Sequence, residues 1–265
     1  MYNRLILYPY KLESESATLL ATTLKTKRVR SNGTYRYFNG HLIVNWGNSR
    51  LPIWATTAAM TNMLNKPQFV SIASDKIATF RQLQTVMPSV LPEWTTDINV
   101  AKGWLINPIY GKLINAVVCR ELTRANSGRG IVLATTPEDV IPAPLYTRYK
   151  PKQIEFRIHV SSRFGFVDAQ QKKRRNEVDD DKFNQYIRSH HNGWVFCREN
   201  IKVPDEIIAI SEQALHALNL DFGAVDIGWH EKYGLSLFEI NTAPGIEGQT
   251  LTNYVEMFRR YLHNV

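Results

Sequence analysis

The 265-residue chain is long enough to bury a sizeable core, as one large domain or two small ones. Hydrophobic residues make up 44% and charged residues 21%, and no apolar run approaches the roughly 18 residues that cross a bilayer, so a globular chain with no membrane partner is expected. The net charge of +8 points to anionic partners, while two cysteines, Cys119 and Cys197, are too few for a disulfide framework and lack metal-ligand spacing. With no signal-peptide pattern at the N-terminus, a reduced, cytoplasmic setting is expected.

The first 70 residues mix short β-like runs, LILY and then HLIVNW from His41 to Trp46, with polar turns and a helical stretch from Ala17 to Leu24. This is the pattern of a small α/β unit. Ser74 predicts a helix N-cap, with Ile77, Phe80, Leu83 and Val86 recurring every third residue until Pro88 and Pro92 end the helix. From Asn115 the pattern turns to strands: NAVVCR and GIVLAT flank a long glycine-bearing hairpin tip, and LYTRY, EFRIHV and FGFVDAQQ follow. The aspartates at 179–181 precede a predicted helix bearing Phe183, Tyr186 and Ile187. Pro204 opens a helix with Ile207, Ile210, Ala214, Leu215 and Leu218 on one face. A strand pair and a C-terminal helix carrying Leu251, Tyr254, Val255 and Phe258 close the chain. Without strict βαβ alternation, the fold class is mixed α/β, or α+β.

The most informative segment runs from Phe222 to Gly245. Side chains alternate faces along a strand, so Glu239 and Asn241 point the same way, about 7 Å apart, together with Leu235 and Leu237, while Phe238 and Ile240 take the other face. A turn centred between Lys232 and Tyr233 pairs Asp226 with Glu239, their Cβ atoms roughly 5 Å apart. Two carboxylates on one face repel unless a cation or proton lies between them. Together with an amide oxygen they form a set of hard oxygen donors suited to magnesium carrying substrate phosphates. Asp226, Glu239 and Asn241 are therefore the candidate metal ligands.

No G-x-x-x-x-G-K-[ST] loop occurs, which argues against a P-loop NTPase. NSGRGIVLA has too few glycines for G-x-G-x-x-G and precedes a strand; its hairpin tip, with Gly128 and Gly130, can instead fold over phosphates and present backbone N–H groups. The basic run Lys172 to Arg175 places Lys172 and Arg174 on one strand face, or forms a solvated, charge-balanced loop with the acids after it. His190 and His191 lack a third ligand at metal spacing.

The order SDKIATFRQL, VVCREL, NSGRGIVLA, LYTRY, IEFRIHV, AVDIGW and LFEINTAPGIEG resembles the ATP-grasp superfamily, and within it the RimK-like ligases that add amino acids to an acceptor carboxylate. The match runs from Asn65 to the C-terminus, and E-x-N-x-x-P-G after an apolar V-D is its most specific part. The resemblance implies a small N-terminal domain (1–70), a lid subdomain (71–145) and a C-terminal catalytic subdomain (146–265), with ATP between the last two. Lys76 and Arg120 would contact phosphates, Arg120 standing where the family usually has lysine, and Gly128, Arg129 and Gly130 would form the phosphate flap. Arg148, Tyr149 and Lys150 would be the adenine hinge and Glu155 the ribose acid, with Arg157 beside it. Magnesium, for which manganese can substitute, would be held by Asp226, Glu239 and Asn241. Lys172, Arg174 and Arg188, with Asn241, would serve the acyl-phosphate and acceptor.

The implied activity is ATP-dependent joining of a carboxylate and an amine through an acyl-phosphate, releasing ADP and phosphate. The amine or acceptor can be an amino acid, a peptide or protein end, or a group on modified nucleic acid. A kinase with a non-amine acceptor and a basic-cleft module that only binds nucleotide or nucleic acid are the alternatives.

Overall fold

A computed structural model describes residues 2–109, 115–124, 130–178 and 183–263. In chain order the elements are β1 (Arg4–Pro9), α1 (Glu15–Thr23), β2 (Lys27–Arg28), β3 (His41–Trp46), α2 (Thr57–Thr61), β4 (Met63–Leu64), α3 (Pro67–Ala73), α4 (Lys76–Gln84), β5 (Trp94–Thr95) and α5 (Ile98–Ile106). They continue with β6 (Val117–Arg120), β7 (Ile131–Ala134), β8 (Leu145–Arg148), β9 (Ile154–Ser161), β10 (Gly165–Arg174), β11 (Trp194–Cys197), α6 (Asp205–Ala217), β12 (Phe222–His230), β13 (Gly234–Asn241) and α7 (Gly248–His263).

Three sheets form among the described residues. The first, β2-β1-β3-β4, is parallel. Its two long strands are apolar on both faces because both faces are covered. Leu5, Leu7, Leu42, Val44 and Trp46 pack under α1 and α7 and against Phe222, while Ile6, Tyr8 and Ile43 pack under Val29, Trp54, Ala59 and Met63. The second sheet, β5-β8-β6-β7, is antiparallel and backed by α5. The third, β11-β10-β9-β12-β13, is antiparallel with one apolar face, where Ile158, Val225, Ile227, Leu237 and Ile240 meet Phe80 and Leu83 of α4 and Ile207 and Leu215 of α6. Its other face is polar and carries the site.

The helix predicted to start at Ser74 starts one residue later. Asp75 is the N-cap, accepting from the Ile77 and Ala78 N–H groups, whereas Ser74 ends the preceding helix α3. No helix forms over Phe183, Tyr186 and Ile187. The Asn184 carboxamide oxygen takes the Tyr186 and Ile187 N–H groups, and a short 3₁₀ turn at His190–Asn192 follows. Such side chain-to-backbone bonds compete with the helical ladder. The aspartates at 179–181 lie outside the described residues.

The β12–β13 hairpin pairs Asp226 with Glu239 as expected, by a different route. The turn centres on Lys232, pairing His230 with Gly234, and a bulge between Asp226 and Ile227 skips Phe238. That extra residue reverses the alternation. Leu235 and Leu237 enter the core with Ile240, and Phe238 joins Glu239 and Asn241 at the cleft. The expectation that the two leucines share the face of Glu239 is therefore corrected. Gly228, opposite the bulge, makes room: a Cβ there would meet the Phe238 ring at 2.8 Å.

Candidate active site

A cleft of about 590 Å³ lies between the second and third sheets. Eight lysines and arginines line it against four carboxylates, so its field suits a polyanion. Low-dielectric walls strengthen that field.

At one end Asp226 and Glu239 lie side by side on neighbouring strands. Each is held by a cation. Lys76, in the first turn of α4, donates to Glu239 Oε2 at 2.8 Å, and Arg157 on β9 grips both Asp226 oxygens at 2.6 and 2.7 Å. Asn241 Nδ2 donates to Glu239 Oε1 at 3.1 Å. Burial would raise the Glu239 carboxyl, but Lys76 and Arg157 outweigh it and hold the group well below the usual carboxylate range. The three side chains are oxygen donors of the type magnesium takes, and the amide bond to Glu239 uses Asn241's nitrogen, not its oxygen. The set fits a hard divalent ion. Among the described residues no group of three or more His, Cys, Asp or Glu side chains forms a metal site.

Toward the hinge, Glu155 is buried between Lys152, at 3.3 Å, and Lys172, which donates a short hydrogen bond to it. Burial would raise its carboxyl; the two lysines reverse the sign. Lys172 also donates to the Arg188 carbonyl at 2.8 Å, and Arg188 donates to the carbonyls of Lys152 and Gln153 at 3.0 and 3.2 Å. The aromatic wall of the cleft is cation-covered: Arg157 lies 4.1 Å and Lys172 5.2 Å from the centroid of Phe196, and Arg188 4.4 Å from that of Trp194.

The expected phosphate contacts Lys76 and Arg120 come together around Asp226 and Glu239, and Arg157, expected beside the ribose acid, joins them there. Arg120 projects from the end of β6, and burial lowers its pKa against the opposing pull of Glu239. Its Nε, like those of Arg148 and Arg188, is buried with no hydrogen-bond partner among the described residues, a donor whose desolvation is uncompensated. Gly130 ends the hairpin tip at φ +65, the left-handed region, with its carbonyl accepting from Glu121 N–H. Gly128 and Arg129 lie outside the described residues.

At residues 148–150, the expected adenine hinge, Arg148 lines the cleft while its guanidinium is held by an ion pair with Glu93 at 2.8 Å and a stack on Trp104. The Arg148 and Tyr149 N–H groups go to the carbonyls of Glu93 and Ala116, and Lys150 Nζ to that of Leu235 at 2.6 Å. Arg174 stacks on Phe183 at 4.3 Å, outside the cleft lining. Arg188 sits against residues 152–153, beside the hinge.

Sequence reasoning missed Lys152, Phe238, Trp194, Phe196 and Glu247, all of which line the cleft. Lys152 is packed between the Phe238 and Tyr149 rings, and burial lowers its pKa. Its spacing three residues before Glu155 was the available signal. Phe238 was hidden by the bulge.

No protein-family model matches the chain, and no curated protein matches it in sequence. Solved structures do match in fold. D-alanyl-alanine synthetase A from Vibrio cholerae O1 biovar eltor superposes with a TM-score of 0.65 at 14% identity, over 100% of this chain and 98% of that one. A RimK domain ATP-grasp protein from Sphaerobacter thermophilus gives 0.59 at 13% identity, over 98% and 100%. The ATP-grasp ligase PsnB, complexed with a phosphomimetic variant of its minimal precursor, Mg and ADP, gives 0.64 at 9% identity, over 97% and 98%. The chain has the ATP-grasp fold. It shares that fold with the RimK domain protein and the ATP-grasp ligase along nearly its whole length.

Proposed function

We propose that this chain is an ATP-dependent carboxylate–amine ligase that works through an acyl-phosphate and releases ADP and phosphate. The observation that carries the reading is the pairing of Asp226 with Glu239 beside Asn241, within reach of Lys76, Arg120 and Arg157, in a cleft richer in cations than in acids. The ligases that share its fold, one of them solved with Mg and ADP, support it. In this reading residues 1–70 precede a lid of 71–145 and a catalytic subdomain of 146–265, with ATP between the latter two.

Magnesium would be held by Asp226, Glu239 and Asn241, where it would supply neutralisation of phosphate charge. The chain's own residues do the rest. Lys76 and Arg157, now paired with the carboxylates, turn to phosphate oxygens as the polyanion enters, and Arg120 gives its unpaired N–H to the same group. Tyr149 and Phe238 offer flat apolar surface for the base, while the Lys150 amide and the hinge carbonyls give its hydrogen-bonding edge. The substrate carboxylate attacks the γ-phosphorus and ADP leaves; the amine then displaces phosphate from the acyl carbon and loses its proton. Lys172 stabilises charge that develops only during transfer, which is where a cation raises turnover. No helix among the described residues is long and apolar enough to cross a membrane.

The test is a phosphate-release screen of carboxylate and amine pairs, with hydroxylamine added to trap the acyl-phosphate. The proposal expects ADP, not AMP, with hydroxamate forming only with a carboxylate present. AMP as the product, or ADP formation without a carboxylate, would overturn it.

A further inference from the structure

The net charge of +8 is unevenly placed. The first 74 residues hold nine lysines and arginines and two acids, Glu13 and Glu15, and from residue 16 to residue 74 there is no aspartate or glutamate at all. The rest of the chain, with 23 cations and 22 acids, is nearly neutral. Almost the whole excess charge belongs to the parallel-sheet unit, which contributes no lysine or arginine to the cleft lining. The cleft cations therefore do not explain it.

Within that unit three of the nine cations, Arg30, Arg36 and Arg50, lie among exposed apolar side chains. The face of the parallel sheet turned away from α1 and α7 is roofed not only by α2 but by two irregular segments, 30–38 and 50–54. They are tied together by Ile53 N–H to Ser31 O at 2.8 Å, Trp54 Nε1–H to Arg30 O at 2.8 Å, and the Tyr35–Trp54 ring contact. Both segments alternate inward and outward residues. Tyr35, Tyr37 and Trp54 pack down on the sheet, while Arg36, Phe38, Leu51 and Ile53 point out. Phe38 is 61% exposed, Leu51 66% and Ile53 77%. Arg30, Arg36 and Arg50 are exposed among them and form no ion pair with a described residue.

We propose that the outer face formed by segments 30–38 and 50–54 is a docking surface for an extended acidic peptide segment whose apolar side chains alternate with carboxylates. An extended peptide presents every second side chain on one face, about 7 Å apart, so its carboxylates can meet the arginines while its apolar side chains meet Phe38, Leu51 and Ile53. The absence of acids gives the charge complementarity, which speeds encounter and selects partners. Phe38 is the one aromatic among these outward residues, and Leu51 and Ile53, the most exposed of them, offer no stacking surface to nucleobases, so the patch suits a peptide better than a nucleic acid. The site shares no residue with the cleft. In the proposed ligase it would hold part of a peptide substrate away from its reacting end, but its occupancy is read by binding alone, without ATP or turnover.

The probe is a fluorescein-labelled twelve-residue peptide alternating glutamate with leucine or phenylalanine, titrated by anisotropy into the full chain. Controls are a lysine-for-glutamate peptide and a peptide of the same composition with its acids and apolar residues in separate blocks. The alternating peptide should bind, weaken at least tenfold when salt rises from about 0.05 to 0.3 M, and outcompete both controls. R36E/R50E and, separately, L51S/I53S should each weaken it at least tenfold with unchanged Tm, since all four side chains are exposed. Equal binding of the block peptide, no effect of either pair of substitutions, or displacement of the peptide by an oligonucleotide or by vesicles of anionic lipid at lower concentration would each overturn the proposal.

Discussion

Glu239→Gln separates the metal-ligand role of Glu239 from its structural one. The substitution keeps the side chain's shape and an oxygen that still accepts from Asn241 Nδ2, and removes the charge facing Lys76 at 2.8 Å. At that distance and an effective dielectric of about 20 the gross attraction is about 6 kcal/mol, most of it offset by desolvation. Both side chains keep some solvent contact, so the net loss of stability should be about 1–3 kcal/mol, lowering Tm by about 2–10 °C. Nucleotide binding should respond in two opposite ways. Without magnesium, ADP should bind as well as or better than to the parent protein, because a carboxylate no longer repels the phosphates. With magnesium, the gain in affinity should fall by at least about 100-fold, roughly 2.7 kcal/mol, since even outer-sphere partners of metal ligands are worth 10–100-fold. Calorimetric titration of ADP with and without magnesium reads both, and turnover should vanish. A variant that kept the magnesium-dependent gain would refute the ligand assignment.

Arg120→Met should weaken Mg-ADP about tenfold or more while leaving Tm unchanged or higher, because it removes a buried, unpaired guanidinium donor; a fall in Tm with unchanged affinity would make Arg120 structural. Lys172→Met and Arg174→Ala should differ, the first lowering kcat more than ATP affinity and the second sparing both, as Arg174 lies on Phe183 outside the cleft lining; equal effects in steady-state kinetics would count against this placement. Gly47, at φ +76, would push a Cβ to 2.6 Å from the Ala243 side chain, so Gly47→Ala should displace the loop after Asn241 and weaken Mg-ADP; unchanged affinity would free that loop from the first sheet. His159 is buried and held neutral, its pKa pushed down to about 3 by burial and by Arg157. The unfolded chain then binds the extra proton first, so stability should fall as pH drops below about 6.5, by up to about 1.4 kcal/mol per pH unit, until about 3. His159→Gln should flatten that limb in chemical denaturation, and an unchanged slope would place the acid sensitivity elsewhere.

Much of the fold was legible where apolar periodicity was local. HLIVNW, EFRIHV and the Ile207–Leu215 face each announced their element, because the same residues that set the period also fill the core. Helix α5 gave less: Ile98–Ile106 is short, contains Gly103, and buries only Ala101 and Leu105. Ser74 misled because two helices abut there, and a serine that ends one looks like a cap for the next. At the site, the Asp226–Glu239 pairing was readable, but the bulge at Phe238 was not, since one unpaired residue leaves no mark in composition. Partners were the least legible. Arg148 and Arg188 line the cleft as expected of site residues, but their guanidinium partners, Glu93, Trp104 and the carbonyls of residues 152–153, are far from them in sequence and were not readable.

The most direct test of the central claim is a crystal structure with a non-hydrolysable ATP analogue and magnesium. The nucleotide should lie between the second and third sheets, its metal at about 2.1 Å from oxygens of Asp226, Glu239 and Asn241, with Lys76 and Arg157 turned from the carboxylates to the phosphates. A nucleotide bound elsewhere, or one in the cleft with Lys76 still on Glu239, Arg157 still on Asp226 and no metal at the trio, would contradict it.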